Sequence, residues 1–241
     1  MKTYERLLSY VKILTPSNED STTSPSSHCQ FDLARILVDE LKNLGISDVS
    51  LDEHCYVYAH IPASEGLDSC KTLGFIAHMD TVSDFCDHPV TPVITENYDG
   101  GELPLGTSGR ILSPEMFPHL SSLKGRTLIT SDGTTILGAD DKAGIAEIIT
   151  ALERILTEKI PHGPLAIAFT PDEEIGMGPA HFDVGKFGAD YAYTLDGDTE
   201  GEIQYENFNA CSAKVIFQGV NVHPGSSKKY HGQRVSCCHG V

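Results

Sequence analysis

Gly74-Phe75-Ile76-Ala77-His78-Met79-Asp80 decides how this chain folds: an apolar run, begun at Thr72-Leu73, is short enough for a buried strand and ends on an imidazole, with a carboxylate two residues on. Three other segments repeat that design. Ile129 through Leu137 leads to Gly138-Ala139-Asp140-Asp141, Leu165 through Thr170 leads to Pro171-Asp172-Glu173-Glu174, and Tyr191 through Leu195 delivers Asp196. Open α/β sheets bind ligands beyond the carboxyl ends of their strands, so four such ends predict one shared site.

The residue types name a chemistry. A hydrolytic zinc site uses imidazole nitrogen and carboxylate oxygen and keeps a position open for water. Two metals about 3.5–4 Å apart need a bridging carboxylate and lower the pKa of bound water towards neutrality. An adjacent carboxylate that does not ligate can then take the proton. Side chains of neighbouring extended residues diverge, which would let Glu173 and Glu174 serve different roles. Asp80, two residues past His78, is placed to hold the imidazole in one tautomer. Singly, each feature reads as structural, because buried strand histidines and paired acids are common in cores, on solvated surfaces and at helix caps. Together they predict a dinuclear metal site.

Outward from these stations the elements alternate. The N-terminus opens a helix with Leu7, Leu8 and Val11, and Phe31 to Leu44 carries apolar residues at 33, 34, 37, 38, 41 and 44 before Gly45 stops it. Short strands are predicted near Val49–Leu51 and Tyr56–Ile61. A helix from about Lys142 to Leu156 sets Ile145, Ile148, Ile149 and Leu152 on one side, and Pro161 with Gly163 breaks the chain before the next strand. The stretch from Ser83 to Lys124 reads as a long loop, Ser17 to Ser27 as a polar loop, Ser131-Asp132-Gly133 as a hairpin turn, and Gly100, Gly101 and Gly106 as turn glycines. Strands alternating with helices give an α/β sandwich.

Composition bounds the rest. With 241 residues, 40% of them hydrophobic, the chain can bury a real core. A net charge of −17 argues against nucleic acid and anionic membrane as partners. No apolar run approaches membrane length, the N-terminus does not read as a secretion signal, and the expected compartment is the cytoplasm. The seven cysteines form no C-x-x-C pair and suit a reducing compartment as small, mostly buried hydrophobes. No G-x-S-x-G elbow occurs, so a serine nucleophile is not expected. Cys237-Cys238-His239 with His231 lacks the paired spacing of a zinc knuckle.

Several motifs together resemble the zinc aminopeptidase and aminoacylase family, most closely its tripeptide aminopeptidase branch. They are Gly74 through Thr81, Thr127 through Gly144, Phe169 through Glu174, Tyr205-Glu206-Asn207-Phe208-Asn209-Ala210, and Asn221-Val222-His223-Pro224-Gly225, and the likeness runs from near residue 1 to about Lys228. The resemblance implies an α/β fold: a zinc-peptidase catalytic domain with a central mixed sheet flanked by helices over residues 1–209, and the start of a smaller α+β lid over residues 210–241. It implies that His78 and Asp196 hold one zinc ion, that Glu174 holds a second, and that Asp140 bridges them. Asp80 and Glu173 match the catalytic carboxylates, Glu173 as general base. His223 reaches the substrate carbonyl from the lid. A cis peptide is expected between Asp140 and Asp141. The activity implied is removal of the N-terminal residue from tripeptides, with homodimerisation through the lid. A dipeptidase or deacylase of the same family and a non-catalytic peptide-binding fragment are the alternatives.

From Lys228 to Val241 the family pattern fails. The codons of Tyr230 through Arg234, read one nucleotide later, admit Ile-Met-Val-Asn-Ala, the start of an amphipathic helix like the one the family places there. A one-base frameshift near Lys229 with early termination is therefore expected, leaving the second zinc position without its last histidine. Weak second-metal binding, poor activity and instability follow from that expectation.

Overall fold

The computed structural model describes residues 1–197, 200–206 and 215, and Met1–Glu202 form a compact unit, taken here by itself. Two helices open it, α1 (Thr3–Tyr10) and α2 (Gln30–Asn43). Then come β1 (Asp48–Leu51), β2 (Val57–Ile61), β3 (Leu73–His78), β4 (Pro92–Thr95), β5 (Leu103–Pro104), β6 (Ile111–Leu112) and β7 (Leu128–Ser131). Helix α3 (Ala139–Thr157), β8 (Leu165–Thr170), α4 (Val184–Phe187) and β9 (Tyr191–Thr194) complete it.

Helix α2 forms for the reasons its sequence carries. Leu33, Ala34, Leu37, Val38 and Leu41 make one buried stripe. Its end is closed by Gly45 at φ +88, where the Gly45 amide donates to the Lys42 carbonyl and the Ile46 amide to that of Leu41. A left-handed residue is required there, and glycine adopts it without a Cβ clash.

The central sheet has the order β1-β2-β8-β3-β9. β1, β2 and β8 are antiparallel neighbours, whereas β8, β3 and β9 run parallel, so the sheet is mixed as expected. Alternation sorts its two faces. Val57, Ala59, Ile61, Leu165, Ile167 and Phe169 join the main core, with Leu37, Leu41, Ile145, Ile149 and Leu152 from α2 and α3. Tyr56, Tyr58, Ala166 and Ala168 face the other way, packing with Phe182 and with Phe187 of α4. Small residues on that face make room for the aromatic rings: a Cβ on Gly74 would lie 2.5 Å from Phe187 Cζ. Buried Arg6 ties α1 to both neighbouring helices through Glu40 and Glu153.

Four expectations are corrected. The stretch Ser83 to Lys124 is not one loop: it holds β4, β5, β6, a 3-10 helix at Pro118–Leu123 and a small core of Tyr98, Leu103 and Leu120. Elements this short leave no periodicity to read. The run Ile129 to Leu137 does not cross the central sheet. β7 ends at Ser131 and pairs antiparallel with β4 in a separate two-stranded sheet. Ser131-Asp132-Gly133 consequently turns the chain towards α3 rather than joining two strands, with the Ser131 hydroxyl donating to the Thr135 carbonyl and accepting the Gly133 amide. Lastly, Glu173 and Glu174 are not extended but lie in a single 3-10 turn, Glu173–Ile175.

Candidate metal centre

Parallel pairing of β3 with β8 sets His78 opposite Thr170, so both strands release the chain at one edge of the sheet. Pairing of β3 with β9 sets Ile76 opposite Thr194 and brings Asp196 to the same edge. His78 is buried, 3% exposed. Its Nδ1–H donates to the Asp80 backbone carbonyl at 3.0 Å, an atom that can only accept, which turns Nε2 towards the carboxylates. Asp140 Oδ1 lies 2.9 Å from Nε2, Glu173 Oε2 3.8 Å and Asp196 Oδ2 3.9 Å. The imidazole is thus oriented chiefly by the main chain of Asp80, with the Asp80 carboxylate 3.4 Å from Nδ1.

That carboxylate, fully buried, has another task. It accepts the Glu173 amide at 2.9 Å and the Glu174 amide at 3.1 Å, one per oxygen, and so holds the turn that carries both glutamates.

Asp140 comes not from a strand end but from the first residues of α3. Gly138 takes φ +71 before it, Asp140 and Asp141 have non-helical dihedral angles, and the peptide between them is cis, as expected. The two side chains part there. Asp140 is exposed towards the site, while buried Asp141 accepts the amides of His78 and Gly144, both at 3.1 Å.

Two donor groups result. His78, Glu173 and Asp196 form one; His78, Asp140 and Glu174 form the other; within each, the ligand atoms lie within 4.8 Å of one another. His78 belongs to both groups, but with Nδ1–H given to the Asp80 carbonyl its Nε2 can ligate a single ion, and among the described residues neither group has another imidazole. Imidazole nitrogen with carboxylate oxygens is a donor set suited to zinc, cobalt or manganese.

The electrostatics fit a cation. Burial pushes the Asp141 carboxyl up to about 8, with Asp196 adding repulsion and His78 and the two amides opposing. Burial also raises Glu173, Glu174 and Asp196, and the charge of Asp140 adds to the shift at each. Burial alone would lower His78, but the hydrogen bond and charge of Asp80, with Asp141 and Asp140, hold it up at about 10. These acids resist ionising beside one another until positive charge arrives.

Every expected site residue up to Asp196 therefore meets at one sheet edge, while His223 and the tail from Lys228 lie outside the described residues. Three neighbours escaped sequence reasoning. Asp141 was visible only as the second half of a pair. Lys142 is buried, its ammonium donating to the Ile13 carbonyl at 2.7 Å, and burial lowers it to about 8. Asp172, buried at 2% exposure with φ +57, precedes the two glutamates. Its identity as an acid inside an otherwise apolar approach was the available signal. The cysteines divide: Cys55 and Cys86 are buried, Cys29 is half-buried and Cys70 is exposed.

Comparison with known proteins agrees with this geometry. Residues 132–219 match the family model "Peptidase family M20/M25/M40". Peptidase T of Exiguobacterium sp. is 55% identical over 229 residues, covering 94% of this chain and 55% of the relative; Peptidase T of Halothermothrix orenii is 56% identical over 229 residues, covering 94% and 56%. The chain thus spans about half the length of the curated relatives it matches. Among solved structures, aminopeptidase PepT from Bacillus cereus superposes with a TM-score of 0.58 at 25% identity, over 82% of this chain and 43% of that one. A tripeptidase from Staphylococcus aureus superposes with a TM-score of 0.57 at 26% identity, over 82% and 43%. The strand-end carboxylates and the buried imidazole thus sit in a chain that is similar to peptidase family M20/M25/M40 over residues 132–219 and to Peptidase T relatives over most of its length.

Proposed function

We propose that this chain carries the catalytic chemistry of a metallo-aminopeptidase that removes the N-terminal residue from tripeptides. The observation that carries the reading is the pair Glu173-Glu174. Both amides are held by Asp80, one carboxylate faces His78 and Asp196, and the other shares a donor group with His78 and Asp140. The relatives named Peptidase T, the aminopeptidase and the tripeptidase support the substrate class.

In this reading His78 and Asp196 would hold one zinc ion and Glu174 a second, with Asp140 placed to be shared between them. The chemistry supplied by bound zinc is polarisation of the peptide carbonyl and acidification of the attacking water. Glu173 accepts the proton of that water and passes it to the leaving amine. Its carboxyl, raised by burial and by Asp196, Asp80 and Asp140, is moved towards the range where such a shuttle works both ways. Asp80 keeps the shuttle in place. Residues 1–209 are the catalytic portion and 210–241 begin a lid, from which His223 meets the substrate carbonyl. The second position, left with the carboxylates of Glu174 and Asp140 among the described residues, binds its ion more weakly than the first. The acidic chain works in the cytoplasm; among the described residues no helix is long and apolar enough to cross a membrane. Dimerisation belongs to the lid.

Metal analysis and a tripeptide cleavage assay on the purified chain and its Glu173→Gln variant test the reading. A general base predicts a kcat lower by about 10²–10⁴-fold with metal content unchanged. Loss of metal in the variant would make Glu173 a ligand instead. Absence of zinc uptake and of cleavage in the unaltered chain would leave a non-catalytic peptide-binding protein.

A further inference from the structure

We infer that Asp172 is the positioning residue of the Glu173-Glu174 turn, fixing from behind, through Ser26 and Gln30, the two carboxylates that Asp80 fixes from the front. The inference rests on the site assignment proposed above and extends it to residues outside both donor groups.

The turn cannot hold itself. It is three residues of 3-10 helix, Glu173–Ile175, with left-handed residues on both sides, Asp172 at φ +57 and Gly176 at φ +72. Short 3-10 pieces have poor hydrogen-bond geometry, and a non-glycine residue at positive φ persists only where its surroundings enforce it.

The enforcement is visible at Asp172. Its carboxylate is buried, and burying one without partners is expensive. Three donors meet it: the Ser26 amide at 2.7 Å on one oxygen, and on the other the Ser26 hydroxyl at 2.5 Å and Gln30 Nε2 at 2.7 Å. In return, the Asp172 amide donates to Gln30 Oε1 at 3.3 Å. Gln30 is fully buried and is the first residue of α2, so the clasp anchors the turn to a helix whose buried stripe packs into the main core. The loop Ser17 to Ser27, read from sequence as merely polar, supplies the remaining two donors.

All the groups aimed at Asp172 are neutral, so the clasp is directional rather than a charge pair. The side-chain amide of an asparagine here would set its NH₂ against the Ser26 amide or against Gln30 Nε2, losing an acceptor whichever way it turned. An alanine would leave all three donors without their acceptor.

The test is amide hydrogen exchange with cobalt(II) titration, on the full chain and its Asp172→Ala variant. Exchange across residues 173–178 is expected to quicken at least about tenfold, with β2 and β8 unchanged, since local opening is set by local contacts. Cobalt affinity, read from its visible absorption, is expected to fall about 10–100-fold, the loss typical when a metal site's outer support is removed. Should Asp172→Ala fail to fold, Ser26→Ala, which removes one side-chain donor, carries the same test with a smaller effect. Unchanged exchange at 173–178, or equal quickening in β8, would overturn the inference. If the unaltered chain takes up no cobalt, the proposed function fails, while the exchange comparison still decides the role of Asp172.

Discussion

At the scale of single residues, the site sets one imidazole against an excess of carboxylates, and this has a pH signature. Asp141, Glu173, Glu174 and Asp196 all titrate above their ordinary values in the folded chain, and His78 is held up at about 10. In every case the folded state keeps protons that the unfolded chain has released. Stability therefore falls as pH rises, for the carboxyls from about 4 upwards and for His78 from about 6.5 through its folded value. The metal-free chain is expected to be less stable at pH 8.5 than at pH 5.5 in denaturant titrations with a chelator. Zinc should flatten the slope by favouring the ionised acids and neutral His78, stabilising the fold by mass action. Asp141→Asn should give a shallower slope than the unaltered chain, which separates the site from the general effect of net charge. A stability that climbs with pH in chelator would sink this account.

At the scale of elements, the first turn of α3 and the end of β9 touch where no side chain fits. A Cβ at Gly144 would run into the Leu195 carbonyl and the Asp141 carboxylate. Backbone cannot yield as a flexible side chain would, so Gly144→Ala is expected to destabilise by about 1–3 kcal/mol, the usual range for overpacking. It should also move Asp196, one residue past Leu195, out of its donor group. Thermal melts read the first effect and zinc titration the second; unchanged zinc affinity would show that β9 is not positioned by α3. Deeper in the core, Ile149 of α3 and Leu37 of α2 are fully buried against the sheet. Truncating either to alanine should cost about 2–5 kcal/mol by urea titration, with the larger value wherever the neighbours cannot collapse into the cavity.

At the scale of the whole molecule, β9 bounds the central sheet: β3 pairs with one side of it, and among the described residues no strand pairs with the other. Tyr191 and Tyr193 are 64% and 52% exposed there. An open edge with aromatic side chains is a template for pairing with another chain. Concentration-dependent association is expected in sedimentation, and Tyr193→Lys should reduce it, because a charge on an edge strand opposes such pairing. Equal association of both proteins would locate the contact elsewhere.

Sequence alone determined the parts that depend on neighbours close along the chain. The buried stripe of α2 and its Gly45 stop, the apolar runs that became β3, β8 and β9, and the acids and imidazole at their ends are all patterns a few residues long. Tertiary structure decided which strands lie side by side and what the polar groups between them touch. It moved β7 out of the central sheet, curled Glu173-Glu174 into a turn, gave the His78 ring to the Asp80 carbonyl and closed Ser26 and Gln30 on Asp172, 146 and 142 residues away. The physical reason is that periodicity records which face of an element is apolar, whereas a hydrogen bond or a strand pairing between distant segments has no local pattern to record it.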